Sequence, residues 1–306
     1  MNEFQFIEKY LSSKKKGKKF SLSFKDDVGY ANNSIFSTDT ICEGVHFFSN
    51  DNPSLIAKKL IRVNVSDIIS KGINPKYCLL NLSIGKNVDE IWIKKFMKGF
   101  DSDLELFNLN LIGGDTSKTL QTTVLSLTIF GNLNNKKFIK RSSSKINDNI
   151  YVTGTIGDSS LGLFCKKNKI DAPKKHIKYL IDRFSVPIPR IELVSFINKN
   201  ASASTDISDG LYSDLNNICK SSGVGAKVEF SKLPLSEAAL SVLKKKPNLK
   251  KLILIGGDDY EILFTGPNGL DKKKNITKIG KITKEKEINI VDFDDRINLD
   301  GYKHEI

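Results

Sequence analysis

Cysteine is scarce in this 306-residue chain, and its four residues, Cys42, Cys78, Cys165 and Cys219, stand too far apart to form a CxxC pair. Neither a disulfide framework nor a cysteine metal site is expected, and the thiols read as reduced core groups of a cytoplasmic protein. The three histidines, His46, His176 and His304, are scattered and no HExxH occurs, so the sequence offers no zinc site. A GxxxxGK[ST] loop and a GxGxxG after a strand are both missing, which removes the two common nucleotide cradles. No Ser-His-Asp arrangement can be argued. No apolar run approaches the ~20 residues of a membrane helix, and the first residues, Met-Asn-Glu-Phe, lack the apolar stretch of a secretory signal. Arginine occurs only at Arg62, Arg141, Arg183, Arg190 and Arg296, so lysine carries most of the net charge of +13. The lysine clusters at 14–19 and 244–246 have no interleaved aromatics and read as solvated faces, not as a nucleic-acid surface. The rare arginines are better phosphate candidates, because a planar fork matches that anion better than an ammonium does.

What the chain has in plenty is carboxylate beside glycine and at element ends. Residues 37–46 read Ser-Thr-Asp-Thr-Ile-Cys-Glu-Gly-Val-His, bracketed by Ile35, Phe36 and Phe47. Ser37, Thr38 and Asp39 offer three successive oxygens to a hard cation, with Glu43 and His46 placed to meet a second ligand. Taken alone this is equally a surface turn with a hydrogen-bonded Asp. Acidic stations recur, however, at Asp26-Asp27, Asp67, Asp115, Asp206 with Asp209, and Asp258-Asp259. Hard oxygen ligands select magnesium, which normally completes its shell with substrate phosphate, so the pattern points to phosphoryl transfer from a nucleotide.

Periodicity predicts a short helix over 3–12, with Phe4, Ile7, Tyr10 and Leu11 on one face, and strands over 21–24 and 34–40. A helix from Pro53, capped by Asn52, runs to Lys71 and stops at Gly72. Leu60, Asn64, Asp67 and Lys71 share one of its faces, so Asp67 is either a helix-surface group or a metal ligand facing a cleft. A strand over 77–84 and a helix over 88–109, with Ile91, Phe96, Phe100, Leu104 and Phe107 as its core face, come next. An apolar strand then ends in Gly113-Gly114-Asp115, and another strand follows over 122–132. The polar stretch 132–148 marks a boundary between residues 1–137 and 138–306. Beyond it come a strand over 149–153, helices over 173–184, 206–221 and 236–244, and a strand over 227–230. Asp206 and Asp209 would project from one side at the start of the 206–221 helix, either as caps or as holders of a second cation. A second strand-Gly-Gly-Asp station is read in 252–259, and short strands in the tail from 277.

In this order the stations resemble the thiamine-monophosphate kinases, a family of the aminoimidazole ribonucleotide synthetase-like ATP enzymes. The matching residues are Asp26-Asp27, Ser37 to Thr40 with Glu43 to Phe47, Asn64 to Asp67, Gly113 to Thr116, Val152 to Gly154 with Gly157 to Ser159, Pro189-Arg190, Asp206 to Leu211, and Gly256-Gly257 with Asp259 to Glu261. The resemblance implies an N-terminal α/β domain whose sheet pairs across a homodimer and a C-terminal α+β domain. It implies transfer of the ATP γ-phosphoryl group to thiamine monophosphate, giving thiamine diphosphate. By residue match Asp27, Ser37, Thr38, Asp39, Asp67, Asp115, Asp206 and Asp209 would bind several magnesium ions. Gly114, Arg141 and Ser208 would contact ATP; His46, Asp258 and Leu299 would contact the thiamine substrate. The chain departs from the family at Lys25, where glycine is usual, and at Asp258, where glutamate is usual. Other enzymes of the superfamily, above all the purine-synthesis type, and a basic nucleic-acid-binding protein are the alternatives. Neither nucleic acid nor membrane is expected as a partner.

Overall fold

The computed structural model describes residues 3–12, 17–134, 136–168 and 172–293. A short helical segment opens the described chain (α1, Glu3–Phe6), continued as a π turn over Ile7–Leu11. The strand expected over 21–24 is instead a tight turn, with Leu22, Ser23 and Phe24 all at positive φ. Leu22 and Phe24, two alternating residues after a lysine-rich stretch, are too few to hold a strand without a partner to pair with.

The first sheet contains β1 (Gly29–Ala31), β2 (Ser34–Cys42), β3 (Tyr77–Ile84), β4 (Asn110–Lys118) and β5 (Val124–Asn132), in the order β1-β2-β5-β3-β4. Only β3 and β4 pair in parallel, because the helix α3 (Glu90–Phe107) crosses between them. The helix α2 (Pro53–Ser70) begins where Asn52 Oδ1 accepts from the Ser54 amide at 3.1 Å. Alternation sends Ile35 and Ile41 of β2 and Leu125, Leu127 and Ile129 of β5 into the core with Leu60, Ile61 and Ile68 of α2. Phe96, Phe100 and Phe107 of α3 are buried with them, but Ile91 is 62 % exposed. It lies in the first turn of α3, beyond the reach of the sheet.

The second sheet contains β6 (Asn149–Thr153), β7 (Ala203–Asp206), β8 (Gly225–Glu229), β9 (Ile262–Gly266), β10 (Ile276–Thr283) and β11 (Ile288–Val291), in the order β11-β8-β10-β6-β9-β7. The helices α4 (Asp158–Lys167), α5 (Lys174–Ser185), α6 (Val194–Asn200), α7 (Leu211–Ser222), α8 (Glu237–Lys245) and the single turn α9 (Leu252–Ile255) complete this half. The apolar run 252–255 is therefore helical, not the strand read from sequence; the strand begins only after the Gly-Gly-Asp loop, at Ile262. Four apolar residues fit either state, and the run here continues the helical turn Pro247–Lys251. Tyr151, Phe264 and Ile197 join the core of the first half, so the two sheets are welded along α2. Arg62 clamps the seam, bonding both oxygens of Asp103 on α3 and the Pro187 carbonyl.

Candidate active site

A cleft of about 1200 Å³ opens between the two halves. Asp27, Ser37, Thr38, Asp39, His46, Asp67, Arg141, Ser208, Asp209 and Asp258 all line it. Strand alternation decides which of them cooperate. Ser37 and Asp39 lie on the same side of β2 as Ile35 and Ile41, facing α2. There the Ser37 hydroxyl donates to Asp67 Oδ2, and Asn64 Oδ1 accepts from the Asp39 amide at 2.9 Å. Asn64 is itself anchored by its amide group, which donates to the Leu60 carbonyl at 2.9 Å. Thr38 points to the opposite face, where its hydroxyl meets that of Thr128 at 3.1 Å. The three oxygens expected to act together are thus divided between two faces.

Asp27, Asp67 and Asp206 converge, with one oxygen from each within 4.8 Å of the others. They arrive from the loop before β1, from α2 and from the end of β7. Asp206 is therefore a strand-end residue; α7 starts only at Leu211, and the helix-start arrangement expected for Asp206 and Asp209 is not formed. Gly210, at φ +108, separates Asp209 from the start of α7. Asp214 instead organises this turn, accepting from the amides of Ser208 and Asp209 at 3.1 Å each. The backbone of Ser208 also accepts from the Asp258 amide at 2.9 Å, zipping the two loops together. Gly257 is required there, since a Cβ would come within 2.1 Å of the Ser208 carbonyl.

The electrostatics of the three carboxylates are unequal. Burial would push Asp27 up, but Arg141 and Lys71 beside it hold its carboxyl below the ordinary range. Burial, with the negative charges of Asp39, Asp206 and Asp27, pushes Asp67 well above that range. Burial and Asp27 push Asp206 up to about 7. Asp206 Oδ2 is also buried without a hydrogen-bond partner. Two carboxyls that resist ionisation, half-buried Asp67 and buried Asp206 with its orphaned oxygen, form a donor set that a small divalent cation fits.

At the other end of the cleft, His46 Nδ1 accepts from the Cys42 amide at 3.0 Å, so neutral His46 carries its proton on Nε2. Asp258 sits at φ +69 and pairs with buried Lys59 at 2.9 Å. Lys59 also donates to the His46 carbonyl at 3.1 Å, tying the two substrate candidates to one ammonium. Glu43 does not meet a ligand beside His46; its carboxylate is spent on the Thr123 amide at 2.9 Å.

Gly114 and Asp115 lie elsewhere. They are inside β4, not at its end, and every residue of that edge strand is exposed. Asp115 pairs in register with Asn81, which pairs with Ser126, which pairs with Thr40. Three strand spacings of about 4.8 Å each therefore separate Asp115 from the cleft strand β2. Leu299 lies outside the described residues. Sequence reasoning placed Asn64 and Lys71 on the face of Asp67 but assigned neither a task. It missed Lys59, Thr205 and Asp214, for which no local signal exists.

Residues 25–133 match the family of AIR synthase related proteins, N-terminal domain, and residues 145–292 match its C-terminal domain. Thiamine-monophosphate kinase of Buchnera aphidicola (from Acyrthosiphon pisum) is 35% identical, over 99% of this chain and 98% of its own. The chain belongs to the thiamine-monophosphate kinase family. The Salmonella typhimurium kinase is 39% identical over 76% of this chain and 70% of its own. Among solved structures, AaThiL complexed with AMPPCP and TMP gives a TM-score of 0.86 at 30% identity, covering 99% of this chain and 97% of that one. The HypE–HypF complex, at 17% identity and a TM-score of 0.74, shares the fold alone.

Proposed function

We propose that this kinase transfers the γ-phosphoryl group of ATP to the phosphate of thiamine monophosphate, giving thiamine diphosphate and ADP. The observation that carries the reading is the Asp27–Asp67–Asp206 cluster, of which Asp27 and Asp67 line an interdomain cleft, in a chain similar along its whole length to thiamine-monophosphate kinases. A solved relative, AaThiL, is complexed with AMPPCP and TMP. In the reaction a phosphate oxygen of thiamine monophosphate bonds to the γ-phosphorus as the bond to the β,γ-bridging oxygen breaks. That nucleophile is already an anion, so no general base is needed; positioning and charge neutralisation carry the rate.

Asp27, Asp39, Asp67, Asp206 and Asp209, with the Ser37 hydroxyl, are assigned to magnesium. Bound there, the metal would neutralise the phosphate charge of two mutually repelling substrates. Arg141 and Ser208 are assigned to ATP, and His46 and Asp258 to thiamine monophosphate. The AIR synthase related domains are compatible with the purine-synthesis alternative, but relatives at 35–39% identity are thiamine-monophosphate kinases; a nucleic-acid-binding role has only the net charge of +13.

A homodimer is part of the proposal. Among the described residues, Phe36, Thr38, Leu79, Thr128 and Phe130 lie on the face of the first sheet opposite α2, and β4 offers an unpaired edge. Asp115 lies on that face with Thr38, whereas Gly114, paired with the core residue Leu80, lies on the other; a second copy packed there is the route by which Asp115 would reach a nucleotide. The division into 1–137 and 138–306 and a cytoplasmic setting complete the reading. The test is thermal unfolding with magnesium, AMPPCP and thiamine monophosphate added singly and together. Stabilisation by the full set beyond the sum of its parts is expected. An equal response to an aminoimidazole ribonucleotide precursor would overturn the assignment.

A further inference from the structure

Lys71 is the most deeply committed cation of the site. It caps α2, where Gly72 at φ +72 ends the helix, and its side chain is 0 % exposed. Its ammonium donates to Asp26 Oδ1 at 2.8 Å, to the Ser204 carbonyl at 2.8 Å and to Asp27 Oδ2. Three donors thus meet three acceptors, which is what a buried ammonium needs to offset its lost hydration. Asp27 is served twice, because Arg141 bonds its other oxygen and the Thr205 hydroxyl lies against both. Asp67 receives the hydroxyl of Ser37, and Asp206 Oδ2 receives nothing. The cluster is therefore unequal: protein cations already hold Asp27, which an incoming ion would have to share, and among the described residues no protein cation bonds Asp67 or Asp206.

We propose that Lys71 is a resident cation of the phosphoryl-transfer site, competing with a divalent ion for Asp27 and so setting how tightly, and how necessarily, the site holds magnesium. The inference rests on the magnesium reading above. A fixed positive charge in contact with a metal-site carboxylate both competes for that carboxylate and repels the metal. It also keeps the metal-free fold intact, because Asp26 and Asp27 are buried and need a partner in either state.

The test compares the full-length wild type with Lys71→Met and Lys71→Arg. Thermal unfolding is followed in EDTA and in magnesium, each with and without AMPPCP, and magnesium binding is titrated by calorimetry. Lys71→Met should unfold at a lower temperature in EDTA, recover disproportionately in magnesium, and bind the ion about tenfold more tightly. Lys71→Arg keeps the charge and should respond as the wild type does. An ordinary structural ion pair would instead lower the unfolding temperature of Lys71→Met equally with and without magnesium, at unchanged affinity; that result overturns the proposal. An enlarged response in Lys71→Arg also overturns it, since packing and not charge would then be the cause. If Lys71→Met folds in neither condition, Asp26→Asn/Lys71→Met removes the pair together, and an unenlarged magnesium response there is the refuting result. A wild type that ignores magnesium in every condition would instead refute the metal reading itself.

Discussion

Replacing Asp67 by Asn separates what the acidic cluster does for activity from what it does to the fold. Asp67 has carboxylate neighbours within 4.8 Å. At that distance two unit charges repel by about 3 kcal/mol at an effective dielectric constant of 20. The metal-free site avoids part of this by holding protons, which is why Asp67 and Asp206 are pushed upward. Asn is nearly isosteric, and its oxygen can still accept from the Ser37 hydroxyl. Metal-free Asp67→Asn is therefore expected to be as stable as the wild type, or more stable by about 1 kcal/mol, a rise of roughly 2 °C for a chain of this size. Turnover should fall by about 10²-fold or more, the scale of losing one preorganised charge-stabilising group. The assay pairs unfolding in EDTA with ADP release in magnesium, ATP and thiamine monophosphate. Wild-type turnover would refute the metal assignment, and a marked loss of metal-free stability would refute the view that the cluster strains the fold.

Other substitutions test other parts of the account. Glu261→Gln leaves Arg183 and Arg190 underpaired in a buried network and should cost about 3–5 kcal/mol in urea unfolding; a loss under 1 kcal/mol would contradict the pairing. Asn64→Leu orphans the Asp39 amide and should cost about 1–3 kcal/mol while lowering turnover, because β2 loses its tie to α2; unchanged kinetics would show that the tie is not needed. Gly114→Ala drives a Cβ within 1.8 Å of the Leu80 carbonyl at φ +152, so β4 should be displaced and the proposed homodimer should give way to monomer in sedimentation; a dimer in both wild type and variant would place the interface elsewhere. Burial pushes Asp259 up to about 7, against the opposing amides of Gly157 and Ser159. Between about pH 4, where the unfolded carboxyl titrates, and pH 7 the native chain keeps a proton the unfolded chain has lost, so this group's contribution to stability falls as pH rises and levels off above 7. Asp259→Asn should flatten that segment of the stability–pH curve, and an unaltered slope would contradict the burial.

Long periodic elements were legible in the sequence. The Asn52 cap, the Pro53 start and the Gly72 stop of α2 were all local signals, and the strand expected over 77–84 coincides with β3, although only Cys78 and Leu80 of it are buried. Short ambiguous runs were not: residues 21–24 became a turn at positive φ, and 252–255 became a helical turn. The carboxylates of the site could be named because chemistry restricts which residues hold a cation. Their grouping could not, because it depends on strand parity and on the packing of distant elements. Thr38 was separated from Ser37 and Asp39 by the two-residue period of β2, and Asp115 was carried three strands away by the position of β4. Lys59 and Lys71 looked like two more residues of a lysine-rich composition. Only burial distinguishes them, and burial is set by contacts with residues up to 199 positions away.

The most direct test is turnover itself: purified protein with ATP, magnesium and thiamine monophosphate, following thiamine diphosphate and ADP together, with thiamine in a parallel reaction. One thiamine diphosphate for each ADP, with no product from thiamine, is the predicted result. ADP released without thiamine diphosphate, or phosphorylation of thiamine in place of its monophosphate, would contradict it.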